Sequence, residues 1–195
     1  MPTASMRAGA GTWLAGAAVY LIAEAVTATG VKSYSYLDDY ISELGVSGLM
    51  NRAFMLHGVL FLIGAVLVVR SVEPCWIARA FVVAAAVNAL GNVGVGGFPS
   101  GTAAHVTGAG MAIIGGNVAV ILGALGSRSL GAGQWFRRAG VALGAVGLLC
   151  LAVLVIDGVN GASLPVGLVE RGAVYPIIAW ELLAGVTILR ARSVV

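Results

Sequence analysis

Charge is what this chain of 195 residues has least of: 10% of its residues are Asp, Glu, Lys or Arg, against about 25% in a typical soluble domain. With 59% hydrophobic residues and a mean hydropathy of +1.00, that scarcity excludes a water-soluble fold. Cysteine is nearly missing as well. Cys75 opens one apolar run and Cys150 lies inside another, so neither is placed for an extracytoplasmic disulfide, and no metal-ligand spacing joins them. The glycine-rich stretch from Gly94 to Thr102 lacks the GK[ST] ending of a phosphate-cradling loop. There is no nucleophile elbow, no His-x-x-His or Glu-x-x-His pair, and no internal repeat. Nucleic acid is excluded as a partner despite a net charge of +3, because the arginines are spread over separate helix ends with no binding motif between them.

What the chain does have is long apolar runs. Six of them, Trp13 to Gly30, Leu49 to Val69, Pro74 to Gly97, Ala103 to Leu125, Phe136 to Asp157 and Leu168 to Leu189, approach or exceed the roughly 20 residues needed to cross a hydrocarbon core of about 30 Å. The expected fold is all-α: a compact bundle of six transmembrane helices forming a single domain over residues 1–195. The length of the first run and the spans behind it argue for a retained helix rather than a cleaved signal. Glycine, 29 residues, is about twice its average share. In lipid, helices associate through close packing, so spacings such as Gly140 to Gly144 read as packing seams.

Eight of the eleven basic residues, Arg7, Arg70, Arg79, Arg128, Arg137, Arg138, Arg190 and Arg192, fall at the two termini and in the second and fourth connections. Lys32, Arg52 and Arg171 fall on the other side. The positive-inside rule therefore places both termini in the cytoplasm of a multi-pass protein of the cell's inner (plasma) membrane. The first external connection, Val31 to Gly48, carries Tyr34, Tyr36, Tyr40, Asp38, Asp39 and Glu43 and is expected to lie along the outer interface. Within it, Tyr40-Ile-Ser-Glu-Leu reads as a short amphipathic helix capped by Asp38 or Asp39.

Polar groups interrupt the apolar runs at Glu24, His57, Asn88, Asn92, His105, Asn117, Asp157 and Glu181. Ionisable groups in a bilayer are costly, and each is a functional candidate facing the protein interior. At 1.5 Å per residue, His57 lies roughly 12 Å below the outer end of its helix. Asn92, His105 and Asp157 lie near the outer surface, Glu24 past the middle toward it, and Asn117 and Glu181 near mid-membrane. The set is biased outward, as an outward-opening pocket requires. Plainer roles compete: the asparagines as interhelical hydrogen-bond donors worth about 0.6 to 2 kcal/mol each, Asp157, Glu170 and Arg171 as interface charges, the last two as an ion pair. Glu24 and Glu181 resist such readings, because a mid-membrane carboxyl must be protonated, paired or hydrated.

Tyr40-Ile-Ser-Glu-Leu-Gly, Asn51, Gly91-Asn-Val-Gly-Val-Gly-Gly-Phe-Pro followed by His105, and Glu170-Arg-Gly-Ala-Val-Tyr-Pro with Trp180-Glu181 form a set that resembles the prokaryotic membrane-protein family known as domain-of-unknown-function family 998. The likeness runs from about Trp13 to Leu189. It implies a six-helix integral membrane protein with signature residues mostly on the outer side, among them Ser42, Glu43, Asn92, Pro99, His105, Glu170, Arg171 and Glu181. It brings no assigned activity.

The expected function is an outward-facing polar pocket for a membrane lipid or other hydrophobic or amphipathic molecule, such as an isoprenoid. As an enzyme it would use acid–base chemistry, a protonated carboxyl donating a proton to an alkene or epoxide as membrane-bound terpene cyclases are thought to do. The catalytic candidates are His105, Asp157, Glu181, Glu24 and His57. The substrate-binding candidates are Asn92, Glu43, Glu170, Arg171 and Trp180. The alternative is a non-enzymatic lipid-binding, transport or accessory subunit that packs against a partner membrane protein or a second copy. No cofactor is expected; a haem or metal held by His57 and His105 is a third reading, with few ligands to support it.

Overall fold

The structure, a computed structural model, describes residues 2–127, 132–160 and 164–191, with the side chains of residues 159 and 160 left aside; Arg128 and Arg192 lie outside these residues. Six long helices fall where the apolar runs predict them: α1 (Ala4–Gly30), α2 (Leu49–Val69), α3 (Trp76–Gly97), α4 (Ala103–Gly126), α5 (Gln134–Asn160) and α6 (Val166–Arg190). All six are long and apolar enough to cross a membrane, and the described residues include no strand. The chain is a multi-pass membrane protein. A helix satisfies its own backbone groups, which is what hydrocarbon demands of a spanning segment.

Two helices run past their apolar cores. The first starts at Ala4 because the Thr3 hydroxyl accepts the Met6 N–H at 3.1 Å and caps it. The fifth continues to Asn160, shortening the last connection.

Each helix packs on its neighbours in the chain, and α1 also packs on α6, closing the bundle. The start of α1, the end of α6 and the α2–α3 connection lie at one end, where Thr3 and Ser71 share a hydroxyl hydrogen bond of 2.6 Å. Close approach rests on small residues. At the α3–α4 contact a Cβ on Gly91 would strike the backbone of Ala112, and one on Gly108 would stand 2.9 Å from the Gly91 carbonyl oxygen. Gly140 and Gly144 form the predicted seam on α5, against Ala124 and Ile121 of α4.

The core has two parts. Near the terminal end, Trp13, Phe61, Phe81 and Trp180 form an aromatic cluster, Trp13 and Trp180 with ring centroids 5.1 Å apart. At the opposite end, the first long connection folds inward as a 3-10 helix, Ile41–Ser47, and buries Ile41 and Leu44 against Tyr20, Met50 and Phe54. Burying two such side chains stabilises the plug by about 1.5–3 kcal/mol each relative to water. The predicted aspartate cap is not formed. Asp39 accepts the Ser35 N–H at 2.7 Å and Asp38 the Ser35 hydroxyl at 2.8 Å, so both close the preceding turn instead.

Candidate functional site

The plugged end holds two polar assemblies, and the first is centred on Arg171 in the second turn of α6. Its Nε and Nη2 reach Glu24 Oε1 at 3.0 and 2.9 Å. Its Nη1 donates to three carbonyls, those of Tyr36, Asp39 and Gly167, and Nη2 also donates to the Tyr34 hydroxyl. The guanidinium lies over the Tyr36 ring, 4.6 Å from its centroid. Tyr175 donates its hydroxyl to the other Glu24 oxygen at 3.0 Å. Glu170, next in the chain, accepts the Ile41 N–H at the head of the 3-10 helix. The expected Glu170–Arg171 pair does not form, since successive helical residues point to different faces. Together these bonds fasten the first connection onto α1 and α6.

The second assembly lies deeper. His57 of α2 and Glu181 of α6, 2% and 0% exposed, meet with Nε2 and Oε2 2.9 Å apart. The Cδ2 edge of the imidazole faces Gly16 of α1, where an added Cβ would stand 3.7 Å away. The Nδ1 edge, on the other side of the ring, therefore faces away from α1, and Nδ1 has no hydrogen-bond partner; neither has Glu181 Oε1. Tyr20 and Phe61 pack on the ring, at centroid distances of 5.2 and 6.4 Å.

Between the plug and this pair lies a cavity of about 40 Å³, lined by Ser42, His57, Asn88, Asn92, His105 and Glu170 among others. Room for one water takes roughly 10–15 Å³ on this measure, so the space accepts a few waters or a small polar group but no hydrocarbon chain. Its walls are fixed by local bonds. Asn88 donates to the Ala112 carbonyl at 2.7 Å, Asn92 to the Asn88 carbonyl at 3.0 Å, and His105 Nδ1 lies 3.1 Å from the Phe98 carbonyl oxygen. The Thr102 hydroxyl caps α4 through the His105 N–H and so places that histidine in the first turn.

The sequence from 14 to 187 matches the family model described as Protein of unknown function (DUF998). The chain belongs to this family. No curated protein and no solved structure matches it. The DUF998 span takes in both polar assemblies, from Glu24 to Glu181.

Of the ten site residues expected in this DUF998 chain, His57, Asn92, His105 and Glu170 line the small cavity, and Glu181 stands behind it through His57. Glu24 and Arg171 join each other in the clamp. Trp180 belongs to the aromatic cluster and lines a different, larger cavity of about 480 Å³ at the terminal end. Asp157 is buried with Oδ1 unpartnered, and is no part of either assembly. Glu43 is exposed on the 3-10 helix, where partial burial, followed by the Asp39 carboxylate, holds its carboxyl above the usual range. Asn117 bridges α4 and α6 by donating to Ile113 and Ala173 carbonyls at 2.9 Å each, in a turn of α6 that Pro176 weakens by lacking an N–H. Among the described residues no three of His, Cys, Asp or Glu gather as a metal site.

Tyr20 and Tyr175 were missed as site residues. Tyr20 packs on the His57 ring and lines the small cavity, Tyr175 holds Glu24, and both are tyrosines set inside a span rather than at the interfacial belt, which is a usable signal.

Proposed function

We propose that this DUF998 chain, lying in the cell's inner membrane with both termini in the cytoplasm, receives the polar end of an amphipathic molecule in the outer cavity and moves a proton on it with the His57–Glu181 pair. The supporting observation is the convergence of two histidines, two asparagines, Ser42 and Glu170 on one small space backed by a buried carboxyl. The space fits a hydroxyl, carboxyl or similar head, so the apolar remainder of the ligand stays in the lipid.

The pair is suited to proton transfer because the ring has one nitrogen on Glu181 and the other free. With Glu181 ionised, Nε2–H donates to it and Nδ1 accepts a proton from the ligand. With Glu181 protonated, its O–H donates to Nε2, and Nδ1–H becomes a donor. One proton thus passes across the imidazole, and the carboxyl fixes the ring's orientation as in other base–orienter pairs. Asn88, Asn92 and His105 supply hydrogen bonds that choose the ligand's head.

Mass spectrometry of lipids copurifying with the native chain, Asn92→Leu and Glu181→Gln tests this. The expected result is a species enriched with the native protein over the bulk membrane, lost in Asn92→Leu, and replaced by its unconverted precursor in Glu181→Gln. Identical lipids in all three would overturn the site. One and the same enriched species in the native chain and Glu181→Gln would keep the site and overturn the chemistry, leaving the non-enzymatic binding reading.

A further inference from the structure

A second, much larger cavity lies at the other end of the bundle, away from the polar assemblies. Its volume, about 480 Å³, is within the range of ligand pockets, roughly 300–1,000 Å³. Its floor is aromatic, with Trp13, Phe81, Phe136 and Trp180 in its lining, and its mouth carries the hydroxyls of Thr3 and Ser71. Such a lining takes a hydrocarbon chain. The termini and the turns at this end also carry the chain's positive charge.

Arg70 adjoins the lining residues Val69 and Ser71, Arg79 follows Ala78, Arg137 follows Phe136, and Arg190 lies between Ile188 and Ala191. Arg7 and Arg138 lie at the same end of the bundle, where the sequence sets only Glu73 against these six arginines. The Nε of Arg137 is buried without a hydrogen-bond partner, an unmet donor beside the cavity. Trp76 and Trp135, 71% and 69% exposed in the first turns of α3 and α5, sit as interfacial tryptophans do and place the rim at headgroup level.

We propose that this cavity is a second site, which holds one acyl chain of an anionic membrane lipid while the rim arginines hold its phosphate. The two features belong together: an apolar chamber of lipid-chain calibre lies at the end of the bundle that carries six described arginines and one acid. Binding a zwitterionic lipid would leave that charge unanswered. Basic groups near an anionic headgroup each contribute several-fold in affinity.

The two tryptophans of the lining report occupancy directly. Both are 2% exposed and line the cavity, so a chain inside it lies closer to them than bulk lipid does. The experiment uses the full chain carrying Trp76→Phe and Trp135→Phe, which leaves Trp13 and Trp180 as emitters, in phosphatidylcholine nanodiscs. A minor fraction of chain-brominated phosphatidylglycerol is added, or of phosphatidylcholine with the same brominated chains. Bromine in the cavity quenches indole emission. The expected result is quenching by the phosphatidylglycerol at about tenfold lower fraction than by the phosphatidylcholine. Arg70→Gln with Arg79→Gln should erase most of that preference. Ala78→Phe, which fills the cavity, should abolish the quenching; Val72→Phe, at its half-buried mouth, serves the same purpose if Ala78→Phe does not fold. Equal quenching by the two lipids overturns the anionic-lipid assignment. Quenching that survives both filling variants overturns the cavity as the site.

Discussion

Arg171→Met is the substitution that most directly tests how the outer end is held. The change keeps an unbranched apolar stem and removes every donor, leaving the Glu24 carboxyl, 2% exposed, with the Tyr175 hydroxyl as its remaining partner. Stranding one member of a buried pair costs about 3–5 kcal/mol. The Tyr36 and Asp39 carbonyls lose a donor as well, at about 1 kcal/mol each where they stay dry. A loss of about 3–5 kcal/mol, and up to about 2 more where both carbonyls stay dry, is expected in denaturant unfolding of the purified protein. Most of it should appear as opening of the first connection: amide exchange over residues 31–48 should quicken by about tenfold for every 1.4 kcal/mol lost. Adding Glu24→Gln should recover much of the loss, because removing both charges is far cheaper than orphaning one. If Arg171→Met cost under about 1 kcal/mol with exchange unchanged, or if the double variant lost the sum of the two single losses, the clamp would not be what secures the plug.

Gly147→Ala should destabilise the bundle by about 1–3 kcal/mol, because the new Cβ overlaps Asn117 Oδ1 and drives the amide off the Ile113 and Ala173 carbonyls; with Asn117→Ala already present the same change should cost clearly less, as thermal unfolding would read. Glu43 gives the outer connection a pH dependence. Its carboxyl is held above the ordinary value by burial and by Asp39, so the fold favours the protonated form; the contribution is fully present below about pH 4 and lost as pH rises through the folded value. The protection of amides in residues 41–47, with the intrinsic base-catalysed rate divided out, should therefore fall over that rise in the native chain and stay flat in Glu43→Gln.

The spans were legible because hydrocarbon imposes one rule on every residue of a crossing segment: apolar side chains on a self-bonded backbone. That rule reads one residue at a time, and the six helices begin and end close to the six apolar runs. The extensions at Ala4 and Asn160 were not legible, since helix ends depend on caps and interfacial contacts outside the apolar core. Helical rise set His57 about 12 Å below the outer end and Glu181 near mid-membrane, and the two, on helices that both start from the plugged end, do meet. Which carboxyl meets which base did not follow. Arg171 turns to Glu24 and leaves Glu170 to the plug, because partners are chosen by the azimuth of each residue around its helix and by how the helices are rotated against one another.

By itself the sequence determined an all-helical, six-span membrane protein with its basic residues at one end and its acids toward the other. Composition, length and charge placement act locally, and the bilayer reads them without tertiary contacts. Only the tertiary structure decided that the costly polar residues divide into a fastening clamp around Arg171 and a buried His57–Glu181 pair beside a small cavity. It also put a cavity of about 480 Å³ at the arginine-rich end, against the outward bias of the polar residues. A cavity is the space that side chains from several helices fail to fill, and such a space has no signature in any one of them.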